Sequence, residues 1–597
     1  MHLGPAVSLV AGVDVSTAGL IDERALYSAA RLWHPVLMNR TTGKRALIEV
    51  LRQEGVEYVF GIPGATEIHF MDALEEAPEI KYILGLQEVV CAGMAEGYAR
   101  ATGKPAFLNL HTASGLAAAS PLLYNAKLGG VPLVVTVGQN DTRLLQRDPH
   151  LTGDIVGIGR PHAKWATEIV HAEDILVVIQ RAFKMALQPP MGPVVVSLPQ
   201  NVLQQEFDFT YEPRTEAQTR LRPDAAAVAK AVEILICAER PLLLVESGVA
   251  RSGALDEVVR FAELIGARVH QAWMADVNFP VGHPQYLGEL DPTDRSSEPV
   301  LKEADVLIGV GCSLFSAGFY DSQAPSLSRT KIIHIDDDPW EIGKNLRTDC
   351  GIQGDIKTVL AELNTALQAA ASTALPAGEP EARERVRRRA AELAEEKAQT
   401  LAALQERWTA QRNRIPIAPS RLMTEIASAT NPDTVIVDDC WSSSGILRQI
   451  VAPSRPGRYL RSRKGGSIGW GLPGALGVKL GLPRKQVVAV LGDGSAAWSM
   501  QGLWTAARYR IPVTFVITNN ATYGQVKLVR KHVLGDYPLE EKHEGMELDR
   551  PVMDFSLLAK SLGVESERVQ VPHELGPVLG RATSSGEPRL VEVMVGR

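Results

Sequence analysis

A chain of 597 residues exceeds what one core ordinarily organises and calls for three or more domains. With 45% apolar and 22% charged residues it is globular rather than disordered, and a formal charge of -7 gives no global attraction to nucleic acid or anionic membranes. Five scattered cysteines without CxxC spacing point away from a disulfide framework or zinc site, and no apolar run reaches the roughly 18 to 20 residues of a bilayer span, so a cytoplasmic protein is expected.

Residues 1–40 carry no clear periodicity and lack the basic start of a signal peptide; they are expected to form a flexible N-terminal extension. From Lys44 the rhythm is α/β. KRALIEVLRQEG is amphipathic with a Gly stop, VEYVFGIPG is a short apolar strand, and KPAFLNLHT, VPLVVTVGQ and GPVVVSLPQ follow as strands separated by helix-length segments. A parallel sheet covered by helices is expected over 41–205. After the polar stretch YEPRTEAQTRLRPD, the strands of RPLLLVESG, DVLIGVGCS and KIIHIDDDP mark a second α/β unit over 221–370.

Residues 371–412, rich in Ala, Glu and Arg at helical spacing, read as a solvated linker helix. A third α/β unit over 413–597 contains the strands DTVIVDD, KQVVAVLGDG, IPVTFVITNN and PRLVEVMV. The fold class is therefore α/β, with three open parallel-sheet domains.

In the third unit, KQVVAVLGDG and IPVTFVITNN flank a helix around SMQGLWTAARYR. A βαβ unit of this kind brings Asp493 and Asn520 to one carboxyl edge, where open α/β sheets bind ligands. A carboxylate and an amide carbonyl are hard-oxygen ligands suited to Mg2+ or Ca2+, with phosphate oxygens completing the shell. Gly492 and Gly494 permit close backbone approach, and Ser495 is placed to donate to phosphate. The plainer alternative, a turn and a strand end without ligand, is disfavoured by the strand-helix-strand setting.

GDG followed at this spacing by NN resembles the diphosphate and magnesium motif of thiamine diphosphate enzymes. The resemblance implies Mg2+ held by Asp493, Asn520 and the backbone carbonyl of Thr522, in a diphosphate-binding domain at the C-terminal end of the chain. It also implies a glutamate in a pyrimidine-binding domain at the other end, and Glu88 in YILGLQEVVCAGMAEGYARATGKPA matches that motif. Taken alone, Glu88 is an acidic residue in a first helical turn. Within the family it exchanges a proton with the aminopyrimidine, leading to a C2 carbanion and then an enamine after CO2 leaves.

In RKGGSIGWGLPGALGVKL, Gly466 aligns with the residue whose carbonyl meets the 4′-amino group and Ile468 with the apolar wedge under the bent cofactor; the alternative is a plain Gly-rich helix start. The family places its cofactor between the first domain of one subunit and the third of another, which implies at least a homodimer, with a homotetramer as the fuller assembly. Ala92, Gly93, Ala95 and Gly97 suit close helix packing at that interface or at any internal crossing.

Within the family, FGIPGATEIHF, KPAFLNLHTASG and the whole 491–524 stretch are similar to the benzoylformate decarboxylase branch, and His111 matches an active-site histidine there. Ala65 stands where that branch has a substrate-binding serine, and the position of its second catalytic histidine falls in LFSAGFYD, near Gly318, where this chain has no histidine, so two substrate-handling groups of that branch are missing. The central unit resembles the nucleotide-binding region of acetolactate synthases, where Asp336 or Asp338 would meet a ribose of FAD or ADP; against that branch, HTASG replaces a GPGATN-type segment.

The expectation is a non-oxidative 2-oxo acid decarboxylase. A carboligase or 2-hydroxyacyl lyase stands second, and a non-catalytic cofactor-binding protein third. The segment HVLGDYPLEEKHEGMELDRP reads equally as a lid and as a surface loop.

Overall fold

The computed structural model describes residues 37–596 except 215–219, 274, 292–296, 317–326, 374–378 and 536–537. Three six-stranded sheets follow one another along the chain, and every strand pair within them is parallel. Their inner strands are buried on both faces, as expected of sheets covered by helices on both sides. Among the described residues no helix is long and apolar enough to cross a membrane.

The first sheet runs Lys81–Leu84, Tyr58–Gly61, Ala106–Leu110, Leu133–Gln139, Val194–Pro199, Trp165–Glu168 in space. The third runs Tyr459–Leu460, Val435–Asp439, Val487–Gly492, Thr514–Asn519, Arg589–Met594, Glu565–Val569. Numbered in chain order, both read 2-1-3-4-6-5. The central sheet runs Tyr286–Leu290, Arg268–Ala272, Pro241–Val245, Val306–Val310, Lys331–Asp336, Cys350–Gln353, or 3-2-1-4-5-6, the Rossmann order. Each sheet reverses its winding beside its first strand, and that crevice is where an open α/β sheet receives ligands.

Four features depart from the linear reading. Leu37–Thr42 forms a two-stranded antiparallel ladder with Glu206–Thr210, so the end of the expected extension is tied to the first domain; residues 1–36 lie outside the described residues. The helix expected around SMQGLWTAARYR is two helices, Asp493–Ser499 and Gly502–Arg508, the first opening on Asp493 itself.

The linker helix Glu379–Ala410 is not free in solvent along its length. Leu393 is buried, Arg389 donates to the carbonyls of Ala238, Glu239 and Ile265, and Lys397 donates to those of Val281 and His283. Long cations there meet main-chain carbonyls, at the ends of two helices and in the 281–283 turn, and that docks a charged helix. The fourth departure is the segment after the metal motif. Met546 accepts from Tyr523 N–H and from Thr522 Oγ1 (both 2.8 Å), and Leu548 N–H donates to Ala521 (2.8 Å), so residues 546–548 are laced onto residues 521–523.

The first and third domains are joined by helices Glu88–Thr102 and Gly471–Gly481, both buried on nearly all sides. The backbones touch. A Cβ on Gly97 would lie 2.0 Å from the Gly474 carbonyl oxygen, and one on Gly477 would lie 1.9 Å from that of Met94. The small residues of YILGLQEVVCAGMAEGYARAT thus serve a crossing inside one chain.

Charge seals the rim of this contact. Fully buried Glu96 pairs with Arg100 (2.9 Å) and accepts from Ser462 Oγ (2.6 Å), while Asp276 of the central domain bridges Arg100 (2.8 Å) and the Arg461 N–H (2.7 Å).

Backbone cannot yield as a side-chain end does, so Gly97→Ala is expected to destabilise by about 1–3 kcal/mol or more in denaturant unfolding. Gly580→Ala, on an exposed helical site open to solvent, should instead stabilise by about 0.5–1 kcal/mol. Equal stability of the Gly97 variant and the wild type would refute the crossing.

Candidate active site

Beside the reversal point of the third sheet, which lies between Val435–Asp439 and Val487–Gly492, Gly492 pairs in register with Thr518 of the following strand, so these two strands end side by side. Asp493 begins its helix 4% exposed, and its Oδ1 accepts from Gly494 N–H (2.8 Å). Its buried Oδ2 has no hydrogen-bond partner. Burial pushes the carboxyl up to about 6, against the pull of the N–H groups of Gly494, Ala521, Asn520 and Thr522. The structure therefore brings Asp493 to the 520–522 turn.

The paired asparagines divide their work. Asn519 faces the core, donating to fully buried Glu592 (2.7 Å). Asn520 is half-buried, and its Oδ1 accepts from Thr522 N–H (3.1 Å), leaving a lone pair for another partner. Ala521 between them holds φ +53, a conformation that the 546–548 ladder imposes. Gly494 is required by Tyr523, whose ring would lie 2.5 Å from a Cβ there. Buried Ser495 sits in the first helical turn.

An unpartnered buried carboxylate oxygen beside an amide and main-chain carbonyls is a hard-oxygen set. The residues fit Mg2+: a cation would keep Asp493 ionised, and Asp493, Asn520 and the Thr522 carbonyl are the groups present to hold it.

The neighbouring strand adds residues that spacing did not reveal. Beyond Val435–Asp439, Trp441 holds φ +28 and donates its Nε1–H to Asp439 (2.9 Å). Ser442 Oγ lies within 3.4 Å of where a Gly524 Cβ would be. Asp439 also accepts from Gly469 (3.2 Å) and Gly471 N–H (3.0 Å), and burial pushes it up to about 6.

The loop 464–468 carries Gly466, exposed with φ +79, and half-buried Ile468. Asn125 of the first domain secures it, donating to the carbonyls of Ser462 (3.2 Å) and Ser467 (3.0 Å).

The first sheet gathers a second group at its own reversal point. His111 caps helix Thr112–Gly129, and its Nδ1 lies 2.7 Å from Oε2 of Glu67, a residue only 2% exposed. Glu67 also accepts from Gly64 N–H (2.9 Å) and Thr66 Oγ1 (2.8 Å). With the carboxylate accepting, the imidazole donates from Nδ1, and Nε2 is the ring nitrogen left for another partner. Glycines make the room: a Cβ on Gly64 would meet the His111 ring at 2.2 Å, and one on Gly138 would meet Glu67 Oε1 at 1.8 Å. Thr112, β-branched at φ +55, is a backbone outlier beside this histidine.

Glu67 escaped the sequence reading because Gly64-x-x-Glu is ordinary helix-start spacing, and nothing in it refers to residue 111. Half-buried Glu88 opens its helix, with Oε1 3.2 Å from the position of a Gly115 Cβ, on the helix that His111 caps. Among the described residues no hydrogen bond or ion pair within the chain joins Glu88, His111 or Glu67 to Asp493 or Asn520. The position near Gly318 lies outside the described residues.

Known proteins resemble this chain along most of its length. Residues 41–158 match the thiamine pyrophosphate enzyme N-terminal TPP binding domain, 228–363 the central domain, and 442–593 the C-terminal TPP binding domain. Benzoylformate decarboxylase of Pseudomonas aeruginosa is 30% identical over 558 residues, 92% of this chain and 98% of that protein. The acetolactate synthase large subunit of Haemophilus influenzae is 28% identical over 560 residues, 92% and 93% respectively.

Among solved structures, the thiamine diphosphate-dependent 4-hydroxybenzoylformate decarboxylase of Rhodococcus jostii superposes with a TM-score of 0.80 at 26% identity, over 93% of this chain and 99% of that one. Benzoylformate decarboxylase of Polynucleobacter necessarius gives 0.79 at 25%, over 93% and 98%. With all three domains matched in order and a relative at 30% identity along nearly the whole length, the chain belongs to the family of thiamine pyrophosphate enzymes.

Proposed function

We propose that the chain is a thiamine diphosphate- and Mg2+-dependent decarboxylase of a 2-oxo acid. The observation that carries this reading is the Glu67–His111 pair in the first domain, at the start of the helix whose Gly115 lies against Glu88. When bound, thiamine diphosphate supplies the carbon nucleophile and the electron sink.

The protein's own contributions follow from its side chains. Asp493, Asn520 and the Thr522 carbonyl would hold Mg2+, and Gly492, Gly494 and Ser495 the diphosphate. Gly466 and Ile468 would hold the aminopyrimidine. Glu88 would hold a proton for the pyrimidine ring. His111 Nε2 holds or delivers a proton at the substrate, oriented by Glu67 through Nδ1. Ala65 contributes no hydroxyl, so substrate positioning falls to other groups.

A divided site in a homo-oligomer is part of this reading. Among the described residues no hydrogen bond or ion pair links the two groups within one chain, and a divided site accounts for this. Large apolar side chains also stand exposed on or beside the elements that carry the first group: Ile68, Leu86, Tyr124 and Leu128. Carboligation is the second reading, favoured by the similarity to the Haemophilus enzyme along nearly its full length.

Purified protein given thiamine diphosphate, Mg2+ and a panel of aromatic, branched and short 2-oxo acids is expected to yield CO2 and an aldehyde, followed by mass spectrometry. Acyloin or acetohydroxy acid products would replace this reading by carboligation, and cofactor binding without turnover of any acid would favour a non-catalytic role.

Two further outcomes probe the machinery. Glu88→Ala and Asp493→Ala should each abolish turnover, yet co-expressed they should recover about one quarter of wild-type activity, because half the dimers are mixed and each mixed dimer keeps one intact site. Absence of any recovery would place both halves in one chain. Glu67→Gln should lower kcat by about 10²-fold, a general acid–base effect, while thiamine diphosphate affinity stays unchanged; wild-type kcat in this variant would remove Glu67 from the mechanism.

A further inference from the structure

The central sheet has the strand order that binds dinucleotides, and its reversal point lies between Pro241–Val245 and Val306–Val310. Here the crevice is closed from within. Gly248 N–H donates to the Gly311 carbonyl (3.1 Å), and a Cβ on Gly248 would lie 2.5 Å from the Gly311 Cα, so main chain meets main chain where a ligand would enter.

The anion's place is taken by a side chain. Glu246, 4% exposed, accepts from the backbone N–H of Ser313 through Oε2 (3.1 Å), two residues beyond Gly311 at φ +61, as a phosphate oxygen would. Its Oε1 pairs with Lys464 Nζ at 2.5 Å. The next strand ends are also committed. Asp336 accepts from Asp338 N–H (2.9 Å), Asp338 accepts from Trp340 N–H (2.9 Å), and Ser313 Oγ donates to Glu341 (2.6 Å). These carboxylates are occupied in turns, and with Glu246 they would oppose a bound diphosphate.

Lys464 comes from the third domain, two residues before Gly466. Its loop is held elsewhere at Arg461 N–H by Asp276, at Ser462 by Glu96 and at Ser467 by Asn125. Among the described residues, the ion pair to Glu246 is the side-chain tether on Lys464 itself.

We propose that Glu246 is a built-in anion at the central reversal point, which excludes a nucleotide diphosphate there and, through Lys464, positions the Gly465–Ile468 loop for the aminopyrimidine. This rests on the cofactor reading above. Glu246 is a positioning residue, since it acts only through Lys464.

The test is titration of the full-length protein with thiamine diphosphate in Mg2+, read by intrinsic fluorescence or calorimetry, in parallel with Mg2+-pyrophosphate, ADP and FAD. Glu246→Gln and Lys464→Gln are each expected to raise the Kd for thiamine diphosphate about tenfold, equivalent to about 1.4 kcal/mol. The double variant should be no weaker than either single, Mg2+-pyrophosphate affinity should be unchanged throughout, and formate should restore cofactor affinity to Glu246→Gly but leave the wild type unaffected. Wild-type ADP and FAD titrations should show no saturable binding.

Unchanged cofactor affinity in the single variants, additive losses in the double, or parallel losses for pyrophosphate would overturn the positioning role. Saturable ADP or FAD binding by the wild type would overturn the built-in anion. A wild type that binds no thiamine diphosphate would instead refute the cofactor reading, and this proposal with it.

Discussion

Everything at the two outer domains depends on a contact between backbones. Helices Glu88–Thr102 and Gly471–Gly481 cross with Gly97 against Gly474 and Gly477 against Met94. The closeness of that crossing fixes how the first sheet sits on the third. One helix begins at Glu88, and the other follows directly on the Lys464–Ile468 loop. A displacement of the crossing by even the width of a methyl group would therefore move candidate proton chemistry and candidate cofactor loop relative to one another. The buried Glu96–Arg100 pair and Asp276 surround this contact with charge, and such pairs tolerate misplacement poorly because a separated buried charge is left uncompensated.

The three sheets solve one geometric problem in two ways. In the outer domains strained residues gather at strand ends at or next to the reversal crevice: Thr112 beside His111, Trp441 beside Ser442, and Ala521 beside Asn520, each non-glycine at positive φ. In the central domain the same crevice is closed by glycine-on-glycine contact and a glutamate. Open parallel sheets of related winding therefore carry candidate site groups in the outer domains and an internal brace in the central one. Fold alone does not assign function to a crevice; the side chains in it do.

The legible part of the fold was the part written in local period. Continuous apolar runs such as VVAVL and FVI are buried strands wherever they occur, and the alternation with helix-length segments leaves a parallel sheet as the consistent arrangement. Short or edge elements were missed for the same reason. Trp165–Glu168 and Cys350–Gln353 carry too little apolar pattern to stand out, and Leu37–Thr42 becomes a strand only by pairing with residues more than 160 positions away. The linker helix reads as solvated because its charges dominate the composition, whereas its docking rests on a few cations that find main-chain carbonyls at a helix end and in a turn.

By itself the sequence determined the α/β class, the Asp493–Asn520 juxtaposition and the matches at Glu88 and His111. All of these follow from strand ends or from short motifs whose residues lie close along the chain. Only the tertiary structure decided that Glu67 holds His111, that Asn519 is structural while Asn520 is free to serve a ligand, and that Lys464 spans two domains to Glu246. Each of these is a contact between side chains that spacing cannot bring together, because its partner is fixed by packing and not by the local period of the chain.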